Sequence, residues 1–172
     1  MKEHELCVVN CLPLPFFGHR VGMNNLIAAN ERLEGREEME TFSIRSNHSI
    51  EFIEITDQVQ NLLRQEDRGD GLAYVFIPHT TAGVTINENA DPTVTQDMIA
   101  DLQRLIPNRQ SYYAHLEGNS ASHFMTSLMG SSIIVPVEGG QIVLGTWQGI
   151  FLCEFDGPRT RKVHVRFMPG VE

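Results

Sequence analysis

The sequence is poor in several features that would assign it to particular classes of protein. Its 172 residues include only three cysteines. This number is small and odd, which argues against a disulfide framework, so we expect free thiols and a reducing, cytoplasmic compartment. No apolar run approaches the roughly 18 residues that a membrane-spanning helix needs. Lys and Arg number 13 against 22 Asp and Glu, and an acidic surface repels phosphate backbones. We therefore expect a soluble protein that binds neither membrane nor nucleic acid.

The overall composition is that of a folded globular protein. Hydrophobic residues make up 41% and charged residues 20% of the chain, which argues against general disorder, collagen-like repeats and a coiled-coil rod. A chain of 172 residues has room for one well-developed core. A single domain with at most a small appendage is the expectation.

Residues 1–38 differ from the rest of the chain in their hydrophobic pattern. Residues 6–17 are apolar but interrupted by polar residues and prolines, with neither helical nor strand periodicity. Acidic residues also precede them, where a secretory signal carries positive charge. Residues 34–38 resemble a translated purine-rich ribosome-binding site. We hypothesise that Met39 starts the native product, so that residues 1–38 are an extension and residues 39–172 the single domain.

The hydrophobic pattern from residue 39 onward predicts strands with inserted helices. Alternating or continuous apolar residues predict strands at 42–44, 50–55 (with a bulge), 72–77, 82–87, 133–137, 141–144, 149–155 and 162–167. Helical spacing predicts helices at 55–63 and 92–106, and a short one through Phe124 and Leu128 after a polar loop at 108–122. The class is therefore α+β, with a β-sandwich or barrel-like, mostly antiparallel core, two main helices and one short helix. We expect the strand at 72–77 to be central and buried on both faces.

The first cluster of specialised polar residues follows the 72–77 strand. His79 and Thr80 begin it, and Asn87, Glu88 and Asp91 end it at a predicted helix entry. Two carboxylates three residues apart can bind Mg²⁺ through oxygen or act as an acid/base pair. The simpler interpretation is that these residues form turns and that Asp91 caps the helix.

The second cluster is a histidine-rich loop. His115, Glu117, Asn119 and His123 lie within nine residues. Neutral imidazole and carboxylate are ligands for zinc and its neighbours, so His115, Glu117 and His123 form a candidate metal set. The spacing matches no familiar zinc signature, and hydrogen-bonded loop histidines are the alternative.

The third cluster combines a glycine turn with basic residues. Gly145 and Thr146, followed by Gln148, offer backbone and side-chain donors, while Arg159 and Arg161 offer planar forks that match phosphate or carboxylate oxygens. Four of the cationic residues from 39 onward lie between 159 and 166, which is a high density for an acidic chain. The alternative is that they decorate the solvent face of the last strand.

Residues 79–92, 115–123, 144–148 and 156–159 together resemble the YjbQ family, also called the secondary thiamine-phosphate synthase family. The match runs in order, at family-like spacing, from about residue 41 to residue 169. Residues 1–38 lie outside it. The resemblance implies an α+β sandwich-like fold, a homotrimer and a polar pocket lined by these motifs.

The resemblance also implies a weak or secondary thiamine-phosphate synthase activity, with the physiological reaction left open. That reaction joins a pyrimidine methyl diphosphate to a thiazole phosphate. We expect phosphate contacts from one group of residues and acid/base or metal roles from another, with no organic cofactor. The expected phosphate or substrate ligands are Thr80, Asn87, Asn119, Thr146, Gln148, Arg159 and Arg161. The expected catalytic residues are His79, Glu88, Asp91, His115 and His123, with a zinc-like ion on His115, Glu117 and His123 or Mg²⁺ on Glu88 and Asp91. The alternatives are a non-catalytic trimer that binds a phosphorylated metabolite and a metal-dependent hydrolase.

Overall fold

A computed structural model describes residues 38–64 and 69–170 of the chain. All of these residues belong to one compact unit. The proposed extension before Met39 lies outside the described residues, apart from residue 38. No helix of the described part is long and apolar enough to span a bilayer.

The described residues form eight strands and three helices, and the predicted α+β class is confirmed. The strands are β1 (Glu40–Arg45), β2 (Glu51–Glu54), β3 (Gly71–Phe76), β4 (Ala82–Glu88), β5 (Ser132–Glu138), β6 (Gln141–Ile142), β7 (Gln148–Glu154) and β8 (Thr160–Pro169). The helices are α1 (Thr56–Arg64), α2 (Pro92–Leu105) and α3 (Ser120–Met129).

Two antiparallel sheets pack face to face. The large sheet has the strand order β1-β8-β3-β5-β6, and the small sheet has the order β2-β7-β4. Alternate residues of each strand point between them, so that Val75 and Val165 of the large sheet join Val84 and Leu152 of the small sheet in one core. Val59 brings α1 into the same core. These buried side chains are the main hydrophobic stabilisation of the domain.

The helices α2 and α3 belong to a second core, on the outer face of the small sheet. Phe151, Cys153 and Phe155 of the β7 segment pack there with Ile106 and Met125. Both faces of the small sheet are therefore covered, which matches the almost completely buried pattern of β7.

The predicted bulge in β2 is wrong. The strand pairs with β7 in unbroken register, from Glu51 opposite Glu154 to Glu54 opposite Phe151. The apolar residues change parity because each face of the strand meets a different core: Phe52 packs beside the helices and Ile53 packs inside the sandwich.

The prediction that β3 is buried on both faces is also wrong for a single chain. The strand is central, between β8 and β5, but only Ala73 and Val75 are buried. Leu72 on the opposite face is 41% exposed, and the neighbouring Ile134 of β5 is 56% exposed. None of the described helices covers this outer face. Contacts within one chain therefore do not explain why apolar residues are exposed on it.

Two predicted boundaries also moved. The helix α3 begins at Ser120, inside the segment predicted as loop, with Asn119 at the N-cap position. The strand β6 stops at Ile142, shortly after the predicted glycine hairpin. Gly139 and Gly140 have φ of 53° and 72°, the pair of positive values that a type I′ turn requires.

Candidate functional site

Residues from all three sequence clusters line one polar cavity of about 280 Å³ at an end of the small sheet. The loop between β3 and β4, the entry to α3 and the connection from β7 to β8 meet there. We call it the polar cavity. Its lining consists of Pro78, His79, Thr80, Thr81, Glu117, Asn119, His123, Asp156, Arg159 and Arg161. Apart from the proline, each of these residues carries a polar side chain.

His79 is held as a neutral ring of defined tautomer. Its Nε2 accepts a hydrogen bond of 2.8 Å from the backbone N–H of Lys162. Nδ1 then carries the ring hydrogen and is the ring's donor. Burial and, next, the positive charge of Arg161 lower the pKa of His79 below its ordinary value. At neutral pH His79 is therefore a hydrogen-bond donor at Nδ1.

Arg161 forms the buried floor of the cavity with a carboxylate beneath it. Glu154 is completely buried, and Arg161 is 5% exposed. The Arg161 Nε donates to Glu154 Oε2 at 2.7 Å, and its Nη2 donates to Glu154 Oε1 and to Thr81 Oγ1. The pair is bidentate, so most of the donor capacity of Arg161 is used inside the protein.

The Glu154 carboxylate is more than a partner for Arg161. It also accepts hydrogen bonds from the Ser46 hydroxyl and from the backbone N–H groups of Phe155 and Asp156. Burial would raise the pKa of Glu154, but the hydrogen bonds from Arg161, Asp156 and Ser46, with the Arg161 charge, outweigh it and hold the pKa below its ordinary value. The ionised carboxylate thus joins β1, β7 and β8 under the cavity.

Arg159 lies at the rim of the cavity. Its Nη2 donates to Asp156 Oδ2 and its Nε to the Asp156 carbonyl, each at 2.7 Å. Its side chain is still 54% exposed. A guanidinium has five N–H donors, so these two bonds leave others directed away from Asp156. Arg159 is the cation best placed to contact an anion in the cavity.

His123 and His115 form a contacting pair at the opposite wall. Their ring centroids lie 5.3 Å apart at an interplanar angle of 78°. His115 Nε2 also lies 3.9 Å from Glu117 Oε2, although both of these side chains are well exposed. His123 lines the cavity, whereas His115 is not part of the lining and contacts the His123 ring. The pair could pass a proton to or from a bound ligand.

The geometry of one chain does not assemble a metal centre from the described residues. No group of three or more His, Cys, Asp or Glu side chains in this part of the chain is arranged to hold an ion. The predicted ligands His115, Glu117 and His123 are neighbours, but a coordinating set requires all their donor atoms to converge on one point at about 2 Å. A metal at this position stays a prediction.

Six predicted site residues do not line the polar cavity. One is His115, which contacts His123, and the other five lie far from the cavity. Asn87, Glu88 and Asp91 lie at or beyond the far end of β4, and Thr146 and Gln148 lie at the matching end of β7, where Glu88 pairs with Gln148. Six residue steps along an extended strand cover about 20 Å, which separates this end from His79.

Contacts within the chain occupy several of these distant side chains. Asp91 Oδ1 accepts from the backbone N–H and the hydroxyl of Thr93, which is the helix-capping interpretation of that residue. Asn87 Nδ2 donates to the Met98 sulfur, and Gln148 Oε1 accepts from the Gly145 N–H. These bonds build the α2 entry and the turn before β7.

Sequence reasoning missed Glu154 as a part of the site. Thr81 and Asp156 lie inside the motifs that the sequence singled out, but no role was predicted for them. A signal for Glu154 was present: it is a single carboxylate inside the apolar run 150–155, with Arg161 seven residues later. An acidic residue in a buried strand requires a cationic partner nearby. The chain crosses from β7 in the small sheet to β8 in the large sheet, and Arg161 of β8 is that partner.

Known proteins match most of this chain. The family model described as "UPF0047 protein YjbQ-like" matches residues 40–170. The UPF0047 protein YugU of Bacillus subtilis is 45% identical over 130 residues, which cover 76% of this chain and 98% of the relative.

Solved structures agree with this match. A YjbQ/UPF0047 family protein from Clostridium acetobutylicum is 48% identical and superposes with a TM-score of 0.73, over 75% of this chain and 99% of that one. A YbjQ-like protein of unknown function from Sulfolobus solfataricus, 27% identical, gives a TM-score of 0.74 over 78% of this chain and 99% of that one. The chain belongs to the YjbQ-like UPF0047 family.

Proposed function

We propose that the polar cavity binds the phosphate group of a small metabolite and that the protein carries out acid/base chemistry on this ligand. The observation that carries the proposal is the convergence of His79, His123 and Arg159, from three separate sequence clusters, on one cavity. A donor, a cation and a titratable pair within one concave site are what phosphate binding and proton transfer require.

The available donors point to an anion. His79 offers Nδ1–H, Arg159 offers the N–H groups not used by Asp156, and Thr80 offers an exposed hydroxyl. Asp156 and Glu117 also line the cavity, but Arg159 and Asn119 contact the first and Asn119 the second. An arriving phosphate would share Arg159 with Asp156, so we expect modest affinity.

The size of the cavity limits the ligand. A volume of about 280 Å³ lies just below the range of roughly 300–1,000 Å³ that is usual for small-molecule sites. This volume suits one compact phosphorylated molecule, so in a reaction of two substrates the second substrate would have to extend beyond the cavity.

The reaction that we propose, following the family resemblance, is a weak thiamine-phosphate synthesis. The pyrimidine methylene carbon loses its bond to diphosphate and gains a bond to the thiazole nitrogen, and diphosphate leaves. Arg159 and His79 would stabilise the departing charge, and His123, backed by His115, would exchange protons with it. Glu88 and Asp91 of the same chain lie too far away to contribute here.

We also propose that the protein is a homotrimer, with a second copy covering the outer face of the large sheet. Exposed Leu72 and Ile134 on this face support a contact of that kind. Light scattering should give the mass of three chains, and Ile134→Lys should lower it. Leu105→Lys, at a leucine of the helix layer that is even more exposed than Ile134, is the control and should leave the mass unchanged. A parent protein with the mass of one chain would contradict this proposal.

The binding proposal is tested by titration calorimetry with inorganic phosphate and with thiamine phosphate. Arg159→Lys keeps the charge but loses the planar fork, so we expect about tenfold weaker binding. Lys162→Ala, at an exposed side chain outside the cavity, is the matched control and should bind like the parent. Equal affinities of the parent and both variants would refute the site.

The catalytic part is tested separately. Purified protein is mixed with the pyrimidine diphosphate and the thiazole phosphate, and released diphosphate is measured beside a His123→Ala variant prepared identically. Turnover in the parent that the variant lacks supports the reaction. Tight binding without turnover would favour the non-catalytic metabolite-binding protein. Elemental analysis of the untagged parent protein and of the His115→Ala and His123→Ala variants tests whether the two histidines hold a metal ion. Neutral imidazole donates to an ion and alanine does not, so full retention of metal in both variants would contradict this role.

A further inference from the structure

A second cavity of about 260 Å³ adjoins the polar cavity. We call it the Arg109 cavity. Its lining consists of Ser49, Ile50, Asn108, Arg109, Gly118, Asn119, Ala121, Ser122, Phe155, Asp156 and Gly157. Asn119 and Asp156 line both cavities, so these two side chains are the wall between them.

The two charged residues of the Arg109 cavity do not pair with each other. Arg109 and Asp156 are its charged residues. Asp156 already receives hydrogen bonds from Arg159 and from Asn119. Arg109 forms no ion pair or hydrogen bond with any residue that the structure describes. Among the described residues, the exposed guanidinium of Arg109 therefore has no partner in the cavity, which favours an anionic group.

The wall between the cavities is polar. Asn119 precedes α3, yet its side chain does not cap the helix. Its Nδ2 instead donates to Asp156 Oδ2 at 3.0 Å and to Glu117 Oε2 at 3.3 Å. Its Oδ1 is buried and accepts no hydrogen bond within the described part of the chain. A polar wall of two side chains allows a ligand with polar atoms to lie across it.

We infer that the Arg109 cavity is a second anion subsite of the same site. The ligand class is then an elongated metabolite with a phosphate at one end, held by Arg159 and His79, and a second anionic group at the other end, held by Arg109. This inference rests on the proposed phosphate binding in the polar cavity. Under this inference the ligand is not one compact molecule but a larger one that occupies both cavities. The combined volume of the two cavities suits such a molecule.

The test compares matched probes in the full chain. Alkyl monophosphates with two to six carbons are titrated beside the α,ω-bisphosphates of the same carbon chains. We expect one bisphosphate length to bind about tenfold more tightly than its monophosphate, because a second charged contact forms. Arg109→Ala should remove this difference while leaving monophosphate affinity unchanged, which also shows that the variant is folded. Arg104→Ala, an exposed cation outside both cavities, should behave as the parent does.

The outcomes separate this inference from the proposed function. If the parent binds none of the monophosphates, the proposed phosphate site fails. If monophosphates bind and Arg159→Lys weakens them, but no bisphosphate binds more tightly, the Arg109 subsite is wrong. Two independent phosphates per chain, with no advantage for the linked probe, would also overturn the single extended site.

Discussion

The buried pair of Arg161 and Glu154 offers a sharp test of how the site is held together. Replacing Arg161 by Met keeps an unbranched side chain about as long as the arginine stem to Nε but removes the guanidinium. Glu154, which has no exposed surface, then loses the partner that donates two hydrogen bonds to it. Thr81 in the cavity lining loses its Arg161 contact as well.

The expected loss of stability is large because a buried charge remains unpaired. Breaking a buried ion pair by removing one partner costs about 3–5 kcal/mol, and Ser46 with two backbone N–H groups compensates only part of this. Glu154→Gln combined with Arg161→Met removes the unpaired charge. The double variant should therefore recover much of the loss, although neither residue is restored.

The pH dependence of this loss has a definite sign. The folded-state pKa of Glu154 is lowered in the parent, so the pair contributes stability above the unfolded-state pKa and loses it as pH falls through the folded-state pKa. In Arg161→Met, burial dominates and raises the pKa, so the folded protein favours the protonated acid. The stability difference between parent and variant should therefore be greatest near pH 7 and shrink towards pH 4.

Urea unfolding followed by circular dichroism at several pH values measures this difference. A loss below about 1 kcal/mol at pH 7 would contradict the idea of an ion pair that supports the site. A loss that stays constant between pH 4 and pH 7 would show that missing packing, and not an unpaired carboxylate, causes the effect.

Three smaller predictions concern His79, Cys153 and Gly83. Nitrogen-detected NMR should show His79 protonated at Nδ1, with a pKa below the ordinary 6.5, and a higher pKa would contradict its desolvated position. Cys153 is fully buried and burial raises its pKa, so in a background without the other two cysteines a thiol reagent should label it only as fast as the protein unfolds. Gly83→Ala should cost about 1–3 kcal/mol, because its Cβ would lie 2.6 Å from the Gly130 carbonyl oxygen. Gly69→Ala, where a Cβ meets nothing within 4 Å, should have almost no effect in the same unfolding assay.

Local patterns were sufficient to predict the elements of the fold. Side chains on a strand alternate between its faces, so the alternation that includes Val84 and Ile86 predicted β4. The stripe that includes Val94 and Leu102 likewise predicted α2, and Pro92 marked its first turn. These signals depend on neighbours in sequence alone, so they hold before any tertiary contact is known.

Other features of the fold depend on tertiary contacts, which the local patterns do not contain. The parity change at Phe52 and Ile53 resembles a bulge, and only the presence of a core on each side of β2 explains it. The apolar run of β3 predicted burial on two faces, but whether a second copy covers Leu72 is a property of assembly and not of one chain. The pairing of Glu154 with Arg161 required knowing that β8 returns beside the β7 end.

The course of β4 explains why the first sequence cluster divides. A continuous polar motif from His79 to Asp91 suggests one site, but the strand between its ends is extended and carries them about 20 Å apart. The antiparallel partner β7 divides the third cluster in the same way, since Glu154 lies opposite Ala82 while Gln148 lies opposite Glu88. Each end of the β4–β7 pair therefore holds one part of the first cluster and one part of the third cluster. The halves that contain His79 and Arg159 meet α3 and close a cavity, whereas the other halves face the α2 entry.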